Sequence, residues 1–179
     1  SGKTLMQLVD PYEHRDALSM PTLVLLGSND PYWPADSAQH YFDDLPGPKW
    51  LLNIPNNGHG LNDIPRVVGG VSALHRSISQ GTVMPKWNTR SETTSGGMKI
   101  IATSDQTPSK VLVWTANSPT RDLRSSTWGS SPLQATEDGT WVAEVAPPER
   151  GSVGAFVEAQ YDQGGMFPLS VTSQIRVLD

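Results

Sequence analysis

The 179 residues contain no cysteine, which excludes disulfides and thiolate chemistry and leaves the compartment open. No apolar run reaches the roughly 20 residues that a membrane-crossing helix needs. No signal peptide opens the chain, an absence without weight where the first residues, SGKTLMQ, lack an initiator Met. Lys and Arg number 13 against 18 Asp and Glu, and no basic cluster is present to release counterions from phosphates, which argues against a nucleic-acid partner. A G-x-S-x-G motif, the sharp strand-to-helix turn that presents a nucleophilic serine, is also missing. GVSAL at 70–74 lacks the last glycine and lies in a helical pattern, and GSVG at 151–154 falls in a β-rich stretch. His14, His40 and His75 share no metal-ligand spacing with one another, so no metal and no other cofactor is implied. Gly2-Lys3-Thr4 before LMQLV looks like the end of a phosphate-binding loop, but neither a strand nor a glycine-rich approach precedes it, and we read it as coincidence.

The residues that are present divide into two patterns. The 16 Gly and 15 Pro point to many turns and substantial β content. Thr22 to Ser28, TLVLLGS, is a continuous apolar run ended by Gly and Asn-Asp-Pro, the pattern of a parallel strand covered on both faces. The spacing of Ala38, Tyr41, Phe42 and Leu45 predicts a helix over 35–45. Lys49 to Pro55 reads as a second strand, and the apolar residues 64, 67, 68, 71, 74 and 78 predict a helix over 64–78 despite Gly69-Gly70. After a small, polar stretch at 81–97, short alternating runs rich in β-branched and aromatic residues follow without helical period.

These patterns lead to a fold class of α/β plus all-β. Residues 1–82 are expected to be the end of a larger α/β domain, with parallel strands and flanking helices, and 83–179 an immunoglobulin-like antiparallel β-sandwich. Two strands cannot cover a run such as Leu23–Leu26, so the rest of that sheet is expected upstream or on another chain.

Functional groups of such sheets gather in loops at the carboxyl ends of strands. Asp30 stands just past the first strand and His59, in PNNGHG, just past the second. The order acid then His matches the last two members of the α/β-hydrolase order Ser, acid, His. A carboxylate on Nδ1 would fix the imidazole tautomer and leave Nε2 to act as base, and Gly58 and Gly60 would let the backbone present the ring from a tight loop. Each residue alone has a plainer reading, Asp30 as a turn residue and His59 as a loop residue. Asp36 is the competing acid, better suited to a helix start. Six tryptophans read mainly as core, with Trp128 in SSTWGSSP either exposed for a ligand or anchoring its loop.

VDPY at 9–12, YFDDLPGPK at 41–49, PNNGH at 55–59 and Arg121-Asp122 after the Trp114 strand together carry a resemblance running from about Leu5 to Leu178. It is to the C-terminal part of the PhoPQ-activated pathogenicity-related protein family. The resemblance implies an α/β-hydrolase domain followed by a small β domain, in proteins exported to the periplasm, the envelope or the medium, with poorly defined substrates. By position it puts the acid on Asp30 and the base on His59, with the serine upstream of Ser1. A serine hydrolase of a small ester, amide or peptide is therefore expected, completed by an N-terminal hydrolase segment of the same protein or of a separate chain. The alternatives are a catalytically inactive protein that binds through its β-sandwich, or a β domain that is only structural.

Overall fold

The computed structural model describes residues 2–179, the Lys3 side chain aside, so Ser1 of the SGKT stretch lies outside the described residues. Helix α1 (Gly2–Val9) and a 3-10 segment (Pro11–Ala17) lead into strand β1 (Thr22–Gly27). A 3-10 turn (Ser37–His40), strand β2 (Lys49–Ile54) and helix α2 (Ile64–Gln80) follow. The remainder is strand throughout: β3 (Trp87–Thr94), β4 (Gly97–Ser104), β5 (Lys110–Ser118), β6 (Gly129–Pro132), β7 (Trp141–Val145), β8 (Ser152–Tyr161), β9 (Leu169–Thr172) and β10 (Arg176–Leu178).

The expected α/β-hydrolase portion is not what forms. Parallel pairing is confined to β1 and β2, Thr22 opposite Lys49 through Gly27 opposite Ile54, and α2 is the one long helix among the described residues. Two further sheets are antiparallel, one of five strands in the order β10-β8-β5-β6 with β9 also on β8, the other β3-β4-β7. The chain is thus mostly β, and a three-sheet arrangement replaces the α/β-plus-immunoglobulin reading. The five- and three-stranded sheets pack in sandwich-like fashion. Met98 and Ile100 of β4, Ala143 and Val145 of β7 and alternate residues of β8 from Val153 to Ala159 share one core. Alternation along each strand turns these residues inward, and full burial of each large one contributes about 1.5–3 kcal/mol.

Two local expectations fail for physical reasons. Thr22 to Leu26 are only half-buried, because among the described residues β1 has a strand on one side alone. The 35–45 helix shrinks to one 3-10 turn: Asp36 is drawn off to Gln39 and Arg121, and Lys49 Nζ takes the carbonyls of Asp43 and Leu45 at 2.6 and 2.7 Å. The predicted 64–78 helix does form and extends to Gln80, with Asp63 accepting the Arg66 N–H at its start. Its glycine pair is a packing device, since a Cβ on Gly69 would lie 2.1 Å from the Pro168 carbonyl. The helix approaches the β8–β9 connection closely only because no side chain intervenes.

Strand β2 is buried from Leu51 to Ile54 because β9 lies along it. There Thr172 Oγ1 takes the Asn53 N–H and the Asn53 Nδ2–H, both at 3.0 Å, and Asn53 Nδ2 also donates to Ser173 O at 2.9 Å. Asn53 is fully buried, and these bonds offset the cost of desolvating its N–H groups, while Oδ1 has no hydrogen-bond partner among the described residues.

Candidate active site

The parallel pair delivers two loops to one rim. Past Gly27, Ser28 N–H donates to Ile54 O at 3.0 Å and Asn29 N–H to Asn57 O at 2.9 Å, so the loops continue the ladder beyond the strands. Ser28 Oγ joins them again, accepting the Asn56 N–H at 2.9 Å. Gly27 permits this approach: a Cβ there would lie 2.4 Å from Asn57 O and 2.5 Å from Gly58 O, both backbone atoms. Gly27→Ala is accordingly expected to cost at least about 2 kcal/mol, read from the urea midpoint; an unchanged midpoint would mean the 57–58 loop yields freely.

This arrangement brings Asp30 and His59 together, with His59 Nδ1 2.9 Å from Asp30 Oδ2. An ionised carboxylate only accepts, so Nδ1 carries the proton and donates. Asp30 Oδ1 accepts the Tyr32 N–H at 2.8 Å. The Asp30 side chain is 8% exposed and that of His59 61%, so a buried acid holds an open imidazole. Burial opposes ionisation of Asp30, but the Tyr32 N–H, the His59 imidazole and the Trp33 N–H outweigh it and hold the carboxyl below the ordinary aspartate range. Chemically, the pair is a base with its tautomer fixed and Nε2 without a hydrogen-bond partner among the described residues.

The loop geometry differs from the glycine reading. The left-handed residues near His59 are Asn56, φ 56°, and Leu61, φ 45°, rather than Gly58 or Gly60. Asn56 tolerates this because its amide is locked, with Trp128 N–H donating to Oδ1 at 2.8 Å and Nδ2 donating to Trp128 O at 2.9 Å. Asn29 makes a parallel link, its Nδ2 donating to the carbonyls of Leu123, Arg124 and Ser126 at 3.2, 3.1 and 2.7 Å. The 123–128 loop thus clamps both loops that carry Asp30 and His59. Trp128 is the anchor of that loop, 2% exposed and packed on Phe156, and not an exposed ligand-binding ring.

Asp36 is occupied elsewhere. Arg121 bridges it to Asp179, at 2.9 and 2.7 Å, pinning the segment after Trp33 to the C-terminus. A cleft of about 620 Å³ opens here, lined by Asp30, Tyr32, Trp33, Asp36 and Arg121. His59 does not line it, but Tyr32 belongs to both, its ring edge-on to the imidazole at 5.0 Å and 84°. Sequence reasoning missed Tyr32 and Trp33, 71% and 58% exposed, whose signal was an aromatic pair directly after Asp-Pro. No group of three or more His, Cys, Asp or Glu suited to a metal occurs among the described residues.

Fold and rim together define a β-rich protein that presents an acid–imidazole pair from two parallel strand ends. The chain belongs to the PhoPQ-activated pathogenicity-related protein family, whose model matches residues 1–124. It is similar to autocrine proliferation repressor protein A of Dictyostelium discoideum, 28% identical over 182 aligned residues covering 88% of this chain and 36% of that protein. The chain thus spans about a third of the curated relative it matches. A solved structure, "Crystal structure of Br derivative BhCBM56", aligns with 54% of this chain and 95% of its own at a TM-score of 0.36 and 12% identity, a likeness too slight to bear on fold.

Proposed function

We propose that Asp30 and His59 are the acid and base of a serine hydrolase acting on an ester, amide or peptide, the nucleophile coming from a segment outside residues 1–179. The observation that carries the reading is the 2.9 Å bond from His59 Nδ1 to a buried carboxylate, with the rest of the ring open. In this role His59 Nε2 takes the serine proton as the hydroxyl attacks the carbonyl and returns it to the leaving group, while Asp30 stabilises the imidazolium. The acid-before-histidine order occurs both in triads whose serine comes first in the chain and in triads whose serine comes last. Export to the periplasm, envelope or medium is part of the proposal, and a relative named as an autocrine repressor is consistent with it. Fluorophosphonate labelling of the full-length protein tests the reading. His59→Ala is expected to lower the labelling rate at least about a thousandfold, and undiminished labelling overturns it.

A second reading rests on the relative's name and on Tyr32 and Trp33 standing exposed at the cleft. It makes the protein a catalytically silent, exported binding protein. Absence of labelling in the native protein, together with partner binding that survives His59→Ala and is lost in Trp33→Ala, is its signature.

A further inference from the structure

Strand β3 pairs with β4 on one side and with no strand on the other among the described residues. A groove of about 510 Å³ is lined by five of its consecutive residues, Trp87 to Ser91. Successive side chains of a strand point to opposite faces, so a groove that touches all five reaches the strand's edge, and Ile100 of β4, opposite Ser91, extends it over one face as well. The unpaired main-chain N–H and C=O groups of an edge repeat at the spacing of another extended chain, which makes such an edge a template for a peptide.

The charge of the groove says which peptide. In a chain with 18 acidic and 13 basic residues, the groove is lined by Lys49, Lys86, Arg90 and Arg176 against one carboxylate, Asp43. Three of these cations have no ionic partner among the described residues. Lys49 Nζ is held by two backbone carbonyls, Arg176 donates to the neutral Gln39 Oε1 at 3.2 Å, and the exposed Lys86 ammonium makes no bond. Arg90 pairs with Glu92, but both are exposed and separable.

We infer that this groove binds an extended acidic peptide segment, which adds as a strand to the free edge of β3 while its carboxylates meet Lys86, Arg90, Lys49 and Arg176. The peptide is favoured over other polyanions because only a polypeptide main chain matches the edge, and the cations then select among peptides.

Anisotropy of a fluorescein-labelled Thr-Glu repeat peptide, titrated with the full-length protein, tests this against a Thr-Lys repeat. The acidic peptide is expected to bind saturably, more weakly as salt rises, and the basic one not to bind. Lys86→Glu with Arg90→Glu is expected to raise Kd at least about tenfold. Both side chains are exposed, and a matching urea midpoint confirms that the variant is folded. Amide hydrogen exchange of residues 87–91 is expected to slow when the acidic peptide is added and to stay unchanged with inorganic polyphosphate. Equal binding of both peptides, no effect of the charge reversals, or binding without protection of β3 would each overturn the proposal, the last by reducing the groove to a general anion site.

Discussion

Under the proposed hydrolase role, Asp30→Asn is expected to lower kcat/KM of the full-length protein toward an ester by about 10³–10⁴-fold while leaving the fold in place. The substitution keeps the shape of the side chain, and Oδ1 or its equivalent still accepts the Tyr32 N–H. It replaces the acceptor facing His59 Nδ1 with an amide that donates there, which reverses the tautomer and puts the proton on Nε2, where it blocks base catalysis. A variant as active as the native protein would remove Asp30 from the mechanism. Stability supplies a second readout. The folded-state carboxyl titrates below its unfolded counterpart, so the stability it contributes is complete above about pH 4 and is lost as pH falls through the lower, folded value. Acid unfolding of Asp30→Asn is therefore expected to show a shallower dependence on pH in that window, because the amide does not titrate.

How far the sequence exposed this site depends on range. Strand ends are local, so Thr22–Gly27 and Lys49–Ile54 were legible from apolar runs and their terminating turns, and with them the placement of Asp30 and His59 on one rim. The number of strands is not local. A continuous run such as Leu23–Leu26 implies cover on both faces, yet its burial depends on partners that the run does not encode, and among the described residues β1 has only β2 beside it. The predicted 35–45 helix shows the same limit from the other side. Ala38 and Leu45 are buried as a helical spacing suggests, but Arg121, 85 residues from Asp36 in sequence, and Lys49 take the groups a helix would use. The clamps through Asn29 and Asn56 were invisible for a related reason. Each is one amide meeting backbone carbonyls 72 to 97 residues away, and such a contact leaves no period in the chain. Trp128 read as ambiguous because its loop is polar, whereas the hydrogen bonds to Asn56 turn that polar loop inward.

The largest effect on stability is expected from Arg66→Met. Glu158 on β8 is fully buried, and Arg66 Nε and Nη2 donate to its two oxygens at 3.0 and 3.2 Å, with Trp114 Nε1 donating at 2.7 Å. Burial opposes ionisation of Glu158, but the Arg66 guanidinium outweighs it and holds the carboxyl below its ordinary range. Methionine keeps the apolar bulk of the arginine stem and removes the charge. That leaves a buried carboxylate with an indole, the Gln160 amide and the Ser170 hydroxyl as neutral side-chain donors, at a cost of about 3–5 kcal/mol, or about 10 °C in Tm. Glu158→Gln added to Arg66→Met removes the stranded charge and should recover part of the loss, so the double variant is expected to unfold at higher urea than Arg66→Met alone. Equal midpoints would show that the ion pair is not what anchors α2 to β8. The anchor matters to the rim as well. Arg66 also holds Asp63, the residue that caps α2, and Asp63 N–H bonds Asn57 Oδ1 at 3.1 Å across the loop that contains His59. Loss of Arg66 therefore loosens that loop at its far end while the Asn56–Trp128 clamp still holds its near end. Imidazole positioning should degrade in the folded variant too, which under the proposed hydrolase role appears as a fall in kcat with little change in KM at temperatures well below Tm.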